Sequence, residues 1–315
     1  MSSRHFSDAL FVAPPPSSSG FFPVPGLPHG SSATLHYELR GDPSSPRKLV
    51  MIMGAFATKR HFAQLAHLLA LEGCEVLAFD NRGVGKSSCS PARACVNTGT
   101  LAADTLKLCD HVFPGAPFHI FGISLGGMIA QKLAALALRK ARPVASLFCS
   151  VTIRGYWFSP FIPLTPSMIR LASSVYLPSS LQALLDADFS GDYINAVHPS
   201  SETGETHGIL WKAKWEAEPQ EWWSFHDLDI CASQAWAVVT HHLSNLELQS
   251  IVNSSLRVSV HVAENDKVLP PSEQRRLAVS LKAEVCRTTG GHVMGSEEEY
   301  QPVLDHLLRV IRESK

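Results

Sequence analysis

The sequence predicts an α/β fold, a mostly parallel central sheet flanked by helices and carrying a helical insertion. Three observations lead to it. Short apolar runs alternate with longer stretches of helical period, first from Ser32 to about Val151 and again after about Leu256. Between those two blocks the strand signal fades. The chain is 315 residues long, 45% hydrophobic and 17% charged, which suits one large core with an insertion.

In order, the stretch up to Gly30 is rich in Pro, Ser and Gly and reads as a flexible N-terminal segment, residues 1–30. "ATLHYELR" alternates with period two, and "KLVMIMG" is a continuous apolar run ending at Gly54. "HFAQLAHLLALEG" has helical spacing and stops at Gly73. "CEVLAFD" reads as a strand, "LAADTLKLCDHVF" as a helix, "FHIFGIS" as a strand, "LGGMIAQKLAALALRK" as a helix and "PVASLFCSVT" as a strand. Residues 154–250 form the insertion, and all six tryptophans fall within it. The alternation resumes with "LRVSVHVAEND", "PSEQRRLAVSLKA", "EVCRTT" and the amphipathic "EEEYQPVLDHLLRVIRE", so the core comprises residues 31–153 and 251–315.

Composition narrows the function. With Lys+Arg 27 against Asp+Glu 28 the formal net charge is -1, and no global field favours nucleic acid or an anionic membrane. No apolar run approaches the roughly 20 residues that span a bilayer. The seven cysteines are scattered without a C-x-x-C pair, which argues against a disulfide framework or a zinc site and for a reducing compartment. A cytoplasmic protein without metal or cofactor is the expectation.

Two glycine-rich stretches decide the chemistry. Gly85, Lys86 and Ser87 reproduce the end of a phosphate-binding loop, but Asp80 occupies the position that requires its first glycine. "GISLGG" fails as a dinucleotide motif because Ser124 replaces the second glycine. It does satisfy G-x-S-x-G, with Gly122, Ser124 and Gly126 between a strand and a helix. That is the setting of a nucleophile elbow, in which the serine sits at a strained apex and the next backbone N–H, of Leu125, faces a developing oxyanion.

A serine hydroxyl needs a base, and the base needs an orienting acid. Of the fifteen histidines, His292 in "TTGGHVMG" follows a late strand in a short glycine-flanked loop. The loop after "LRVSVHV" offers both Glu264 and Asp266 as the acid, and strand periodicity does not choose between them.

These residues resemble the α/β-hydrolase superfamily, from about Ser32 to the C-terminus, with the insertion matching its helical cap. "MGAF" stands where that family often has H-G, so the resemblance implies Ala55 as the second oxyanion donor; "FDNRGVGKSS" is similar to its D-x-R-G-x-G-x-S segment. "DKVLP" assigns the acid to Asp266, although the usual G-x-D before it is altered, and the histidine to His292. The resemblance implies little about the substrate; the leading expectation is a cofactor-independent serine hydrolase acting on a small to medium ester, thioester or lactone with an apolar portion. A ligand-binding receptor, an acyltransferase and a carbon–carbon hydrolase are the alternatives on the same triad. Phe56, Trp157, His241 and His242 are the expected pocket residues, the two histidines also being suited to capping a helix C-terminus.

Overall fold

A computed structural model describes residues 13–27, 30–91, 96–155, 181–199, 201–224 and 227–314. Its centre is a nine-stranded sheet of order β1-β2-β4-β3-β6-β7-β8-β9, with β5 also paired to β2. These strands are β1 Ser18–Pro23, β2 Ser32–Arg40, β3 Lys48–Ile52, β4 Glu75–Phe79, β5 Ser88–Ser90, β6 Phe118–Ile123, β7 Val144–Ser150, β8 Arg257–Ala263 and β9 Glu284–Thr288. From β4 through β9 every pairing is parallel, whereas β1, β4 and β5 run antiparallel to β2. All six positions of β6 are buried, as expected for a central strand covered on both faces.

Helices cover both faces. Helix α1 (Ala63–Leu71) packs with the final helix Glu297–Glu313 over one apolar layer containing Leu49, Met51, Phe121 and Phe148. Helices α2 (Thr98–Val112) and α3 (Leu125–Arg139) cover the other, which contains Val50, Ile52, Ile120 and Leu147. Alternate residues of β3 and β6 thus serve opposite layers. Asn97 caps α2 through the Thr100 N–H at 2.9 Å, and Ser296 opens the final helix with a capping box.

The N-terminal segment departs from its sequence expectation. Ser18–Pro23 is an edge strand, because its backbone pairs with β2 and Phe22 stacks on His111 at 4.9 Å. Sheet pairing supplies the partners that its Pro- and Ser-rich composition lacks by itself.

The insertion has a narrow neck. Gly155 bridges antiparallel to His242, and Leu243 N–H donates to the Arg154 carbonyl at 3.0 Å. Gly155 has φ 82, and a Cβ there would stand 1.9 Å from the His241 carbonyl oxygen, so the outgoing and returning chains meet only at a glycine. The helix Asn245–Val252, included in the insertion on sequence grounds, lies beyond the neck and is tied to α3 by Lys132 and Glu247 at 2.7 Å. Among the helices between β7 and β8, Trp211 meets Trp222 and Trp215 meets Trp223 edge to face, while Trp211 lies tilted against both Trp215 and Phe189.

The loop that resembles a phosphate-binding loop is a scaffold. Asp80 accepts from the Lys59 and Lys86 backbone N–H groups at 2.9 and 3.1 Å and pairs with the Lys59 ammonium at 2.8 Å. Arg82 grips Asp104 with two hydrogen bonds of 2.8 Å. No helix among the described residues is long and apolar enough to cross a membrane.

Candidate active site

Strand β6 ends and α3 begins at Ser124, which has φ 55 and ψ -120. That left-handed conformation is unusual for a non-glycine residue and persists only where surrounding contacts enforce it. Here they are the Ser124 N–H to the Ser150 carbonyl at 3.0 Å and the Thr152 hydroxyl to the Ser124 carbonyl at 2.7 Å. The flanking glycines are steric necessities: a Cβ on Gly126 would fall 1.9 Å from the Ile52 carbonyl oxygen, and one on Gly122 would fall 2.2 Å from that of Gly126. Leu125 opens α3 with its side chain in the core.

The loop after β3 runs beside the serine, with the place of a Gly54 Cβ 3.3 Å from Ser124 Cβ. Ala55 follows it and lines the same cavity as Ser124. Residues between 221 and 234 fasten this loop. Phe56, itself at φ 65, donates its N–H to Gln234 Oε1 at 2.5 Å and accepts from the Ser224 N–H at 2.8 Å. Thr58 N–H donates to the Trp222 carbonyl at 3.0 Å, and the Thr58 hydroxyl donates to that of Glu221.

His292 and Asp266 meet across the loops that follow β9 and β8. His292 Nδ1 donates to Asp266 Oδ2 at 2.8 Å, and both residues are buried. Asp266 Oδ1 accepts the Val268 and Leu269 N–H groups at 2.8 and 2.9 Å, while Gln274 donates to Oδ2 at 2.7 Å. Glu264, the other carboxylate of this loop, lies outside the cluster, paired with Arg275 at 2.5 Å on the surface. Burial depresses the His292 pKa, but the Asp266 charge and hydrogen bond, with the Asp188 charge, outweigh it and hold it above 6.5.

Beneath these loops, buried His261 joins three strand ends, through Nδ1 to the Ser150 hydroxyl at 2.8 Å and Nε2 to the Thr288 hydroxyl at 2.9 Å. Burial lowers its pKa to about 4, so it bridges as a neutral ring.

Ser124 and His292 line one cavity of about 220 Å³. Met53, Ala55, Phe56 and Ile123 line it, together with Trp223, Val268, Leu269 and Val293. The helix Leu228–Val239 contributes Cys231, Ala232, Ala235, Val238 and Val239, positions that recur with helical period on one face. Such a size and lining suit a small ligand with an apolar body.

Of the expected pocket residues, Phe56 lines this cavity, whereas Trp157 lies outside the described residues. His241 and His242 are not on the described wall of the cavity, which corrects their assignment as pocket residues. Both sit at the neck, where His241 is buried with Nδ1 at 3.0 Å from the Thr98 hydroxyl. The chain's return to the core at this point turns them toward the neck and α2. Sequence reading passed over Asp188, Gln234 and Gln274. Gln234 and Gln274 are polar side chains amid apolar positions of a helix face, a pattern open to inspection; Asp188 has no comparable signal.

The description "alpha/beta hydrolase fold" belongs to the family model that matches residues 48–297. The chain therefore belongs to the α/β-hydrolase fold family, which places it among the hydrolases. Solved structures agree on the fold. The enol-lactonase from Burkholderia xenovorans is 19% identical with a TM-score of 0.68, over 89% of this chain and 97% of that one. Rv0554 from Mycobacterium tuberculosis is 21% identical with a TM-score of 0.69, over 94% and 99%. An esterase from Exiguobacterium antarcticum is 18% identical with a TM-score of 0.67, over 90% and 97%. No curated protein matches the sequence.

Proposed function

We propose that this protein is a serine hydrolase that cleaves a small to medium ester, thioester or lactone without a cofactor. The observation that carries the proposal is the 2.8 Å hydrogen bond from His292 to Asp266 beside a cavity that also holds Ser124 at its positive-φ apex.

In this reading His292 takes the proton of the Ser124 hydroxyl as its oxygen attacks the carbonyl carbon. Asp266 fixes Nδ1–H, which leaves Nε2 as the basic nitrogen, and its charge stabilises the imidazolium that forms. The backbone N–H groups of Leu125 and Ala55 receive the oxyanion, each such donor being worth about 2.7 to 4 kcal/mol in comparable sites. Collapse of the tetrahedral intermediate passes the His292 proton to the leaving group and leaves an acyl-enzyme, which water then cleaves by the same steps in reverse. The apolar lining supports a substrate with a hydrocarbon portion, and the esterase and lactonase among the similar folds are consistent with a carbonyl substrate.

The test is steady-state turnover of p-nitrophenyl acetate, butanoate and octanoate by the full chain and by Ser124→Ala. Wild type is expected to turn over the shorter esters, and the variant to lose at least about 10³-fold while retaining its circular dichroism spectrum. Equal hydrolysis by the two proteins refutes the assignment.

A further inference from the structure

The wall of the cavity carries a carboxyl group that the proposed mechanism does not use. Asp188 ends the cap helix Leu181–Asp188, is 5% exposed and lines the cavity with Ser124 and His292. Its position is set by the histidine loop. The Asp188 carbonyl accepts the Val293 N–H at 2.6 Å, and a Cβ on Gly291 would stand 2.7 Å from the same oxygen. The backbone is thus bolted beside His292. Among the described residues, no hydrogen bond reaches its carboxyl group, and burial raises its pKa to about 7.

A carboxyl group that faces a mostly apolar cavity, with no hydrogen-bond partner among the described residues, is open to a partner on a ligand. His61, on the same cavity, repeats the pattern. Its Nδ1 faces the Thr58 carbonyl at 3.3 Å and therefore carries the hydrogen, and its Nε2 is buried without a partner among the described residues. Burial lowers the His61 pKa to about 4, so Nε2 is a bare acceptor at neutral pH.

The missing ligand group follows from these two side chains. A neutral carboxyl group donates and accepts, whereas an ionised one only accepts. A ketone or ether oxygen satisfies the neutral form alone, and it offers His61 nothing. A hydroxyl satisfies Asp188 in both forms and His61 as well. An ammonium group suits only the ionised carboxylate, and it would have to be stripped of water in a lining that is otherwise mostly apolar.

We infer that the substrate carries a hydroxyl group in addition to its scissile carbonyl, and that Asp188 is the specificity-determining residue that holds it. This rests on the proposed function, since the hydroxyl is placed relative to a substrate attacked by Ser124.

Matched ester pairs test it by pH-stat on the full chain: ethyl 3-hydroxybutanoate against ethyl butanoate, and 2-hydroxyethyl butanoate against propyl butanoate. In at least one pair the hydroxylated ester is expected to have a kcat/KM roughly tenfold higher in wild type. Asp188→Leu is expected to bring that ratio to about one. Asp188→Asn, whose amide still donates and accepts, is expected to keep most of it. Asp188→Ala replaces the leucine variant if that one does not fold. A wild-type ratio near one in both pairs, or a ratio that Asp188→Leu leaves intact, overturns the inference. So does a stronger preference for ethyl 3-aminobutanoate that Asp188→Asn abolishes, because it indicates an ion pair. Failure of wild type to hydrolyse any of these esters counts instead against the serine-hydrolase reading.

Discussion

Asp266 uses its two oxygens differently. Oδ1 accepts the Val268 and Leu269 N–H groups, while Oδ2 faces His292 Nδ1 at 2.8 Å. The first oxygen locks the carboxylate in place and leaves the second to orient the imidazole. Glu264, two residues earlier, has its charge matched by Arg275. Asp266→Asn is therefore expected to lower kcat by roughly 10⁴-fold, the loss typical when a triad acid is neutralised. Glu264→Gln should stay within about twofold of wild type. Ester turnover by both purified variants decides the assignment, and the reverse order of effects would hand the role to Glu264.

Gln234 reaches from the helix Leu228–Val239 to the Phe56 N–H, next to the proposed oxyanion donor Ala55. Gln234→Leu removes that acceptor and leaves the loop free to shift by a fraction of an ångström. A fall in kcat of about tenfold to a hundredfold is expected, with a smaller change in KM. Single-turnover kinetics would show the fall in the acylation step. An effect confined to KM would mean that the contact shapes only substrate binding.

The pH profile follows from His292. Its pKa is held above 6.5, and the base proposed here acts as neutral imidazole, so activity is expected to fall on the acid side with a midpoint above 6.5. Asp188→Asn removes one of the charges that raise this pKa, so the midpoint should move to lower pH. Asp188 and Asp266 both act on this ring, and the profile reports the group as a coupled set. A midpoint that stays put in the variant would show that the Asp188 charge does not reach His292.

Stability should respond to Asp188 separately. Burial raises its pKa from 3.8 to about 7, so the fold favours the protonated acid and stability is lost as pH rises between those values. His292 acts in the same sense at higher pH: protonation favours the fold, and its contribution fades as pH rises through its raised pKa. Asp188→Asn removes the penalty of ionising a buried acid. Its melting temperature relative to wild type should be more favourable at pH 8 than at pH 5, which differential scanning calorimetry can measure.

Much of this architecture was legible in the sequence because it rests on local rules. Apolar runs on strands buried on both faces, the glycines that an elbow demands sterically, and a histidine between glycines after the last strand all leave direct traces. The acid stayed open between Glu264 and Asp266, since spacing along a strand says nothing of which carboxylate meets Arg275 and which meets His292. Gln234 and Asp188 leave no such trace, because their positions arise from how the helices between β7 and β8 pack on the core. His241 and His242 were placed at the cavity for the same reason, whereas the crossing at Gly155 holds them at the neck. The strand at Ser18–Pro23 owes its order to the exposed edge of β2, a partner its own composition does not announce.

The most direct test of the central claim is fluorophosphonate labelling of the folded protein, with the adduct located by peptide mass spectrometry. One adduct is expected, on Ser124, formed at a rate that His292→Ala reduces by at least about 10³-fold. A folded protein that remains unlabelled, or is labelled on another residue with Ser124 untouched, would contradict it.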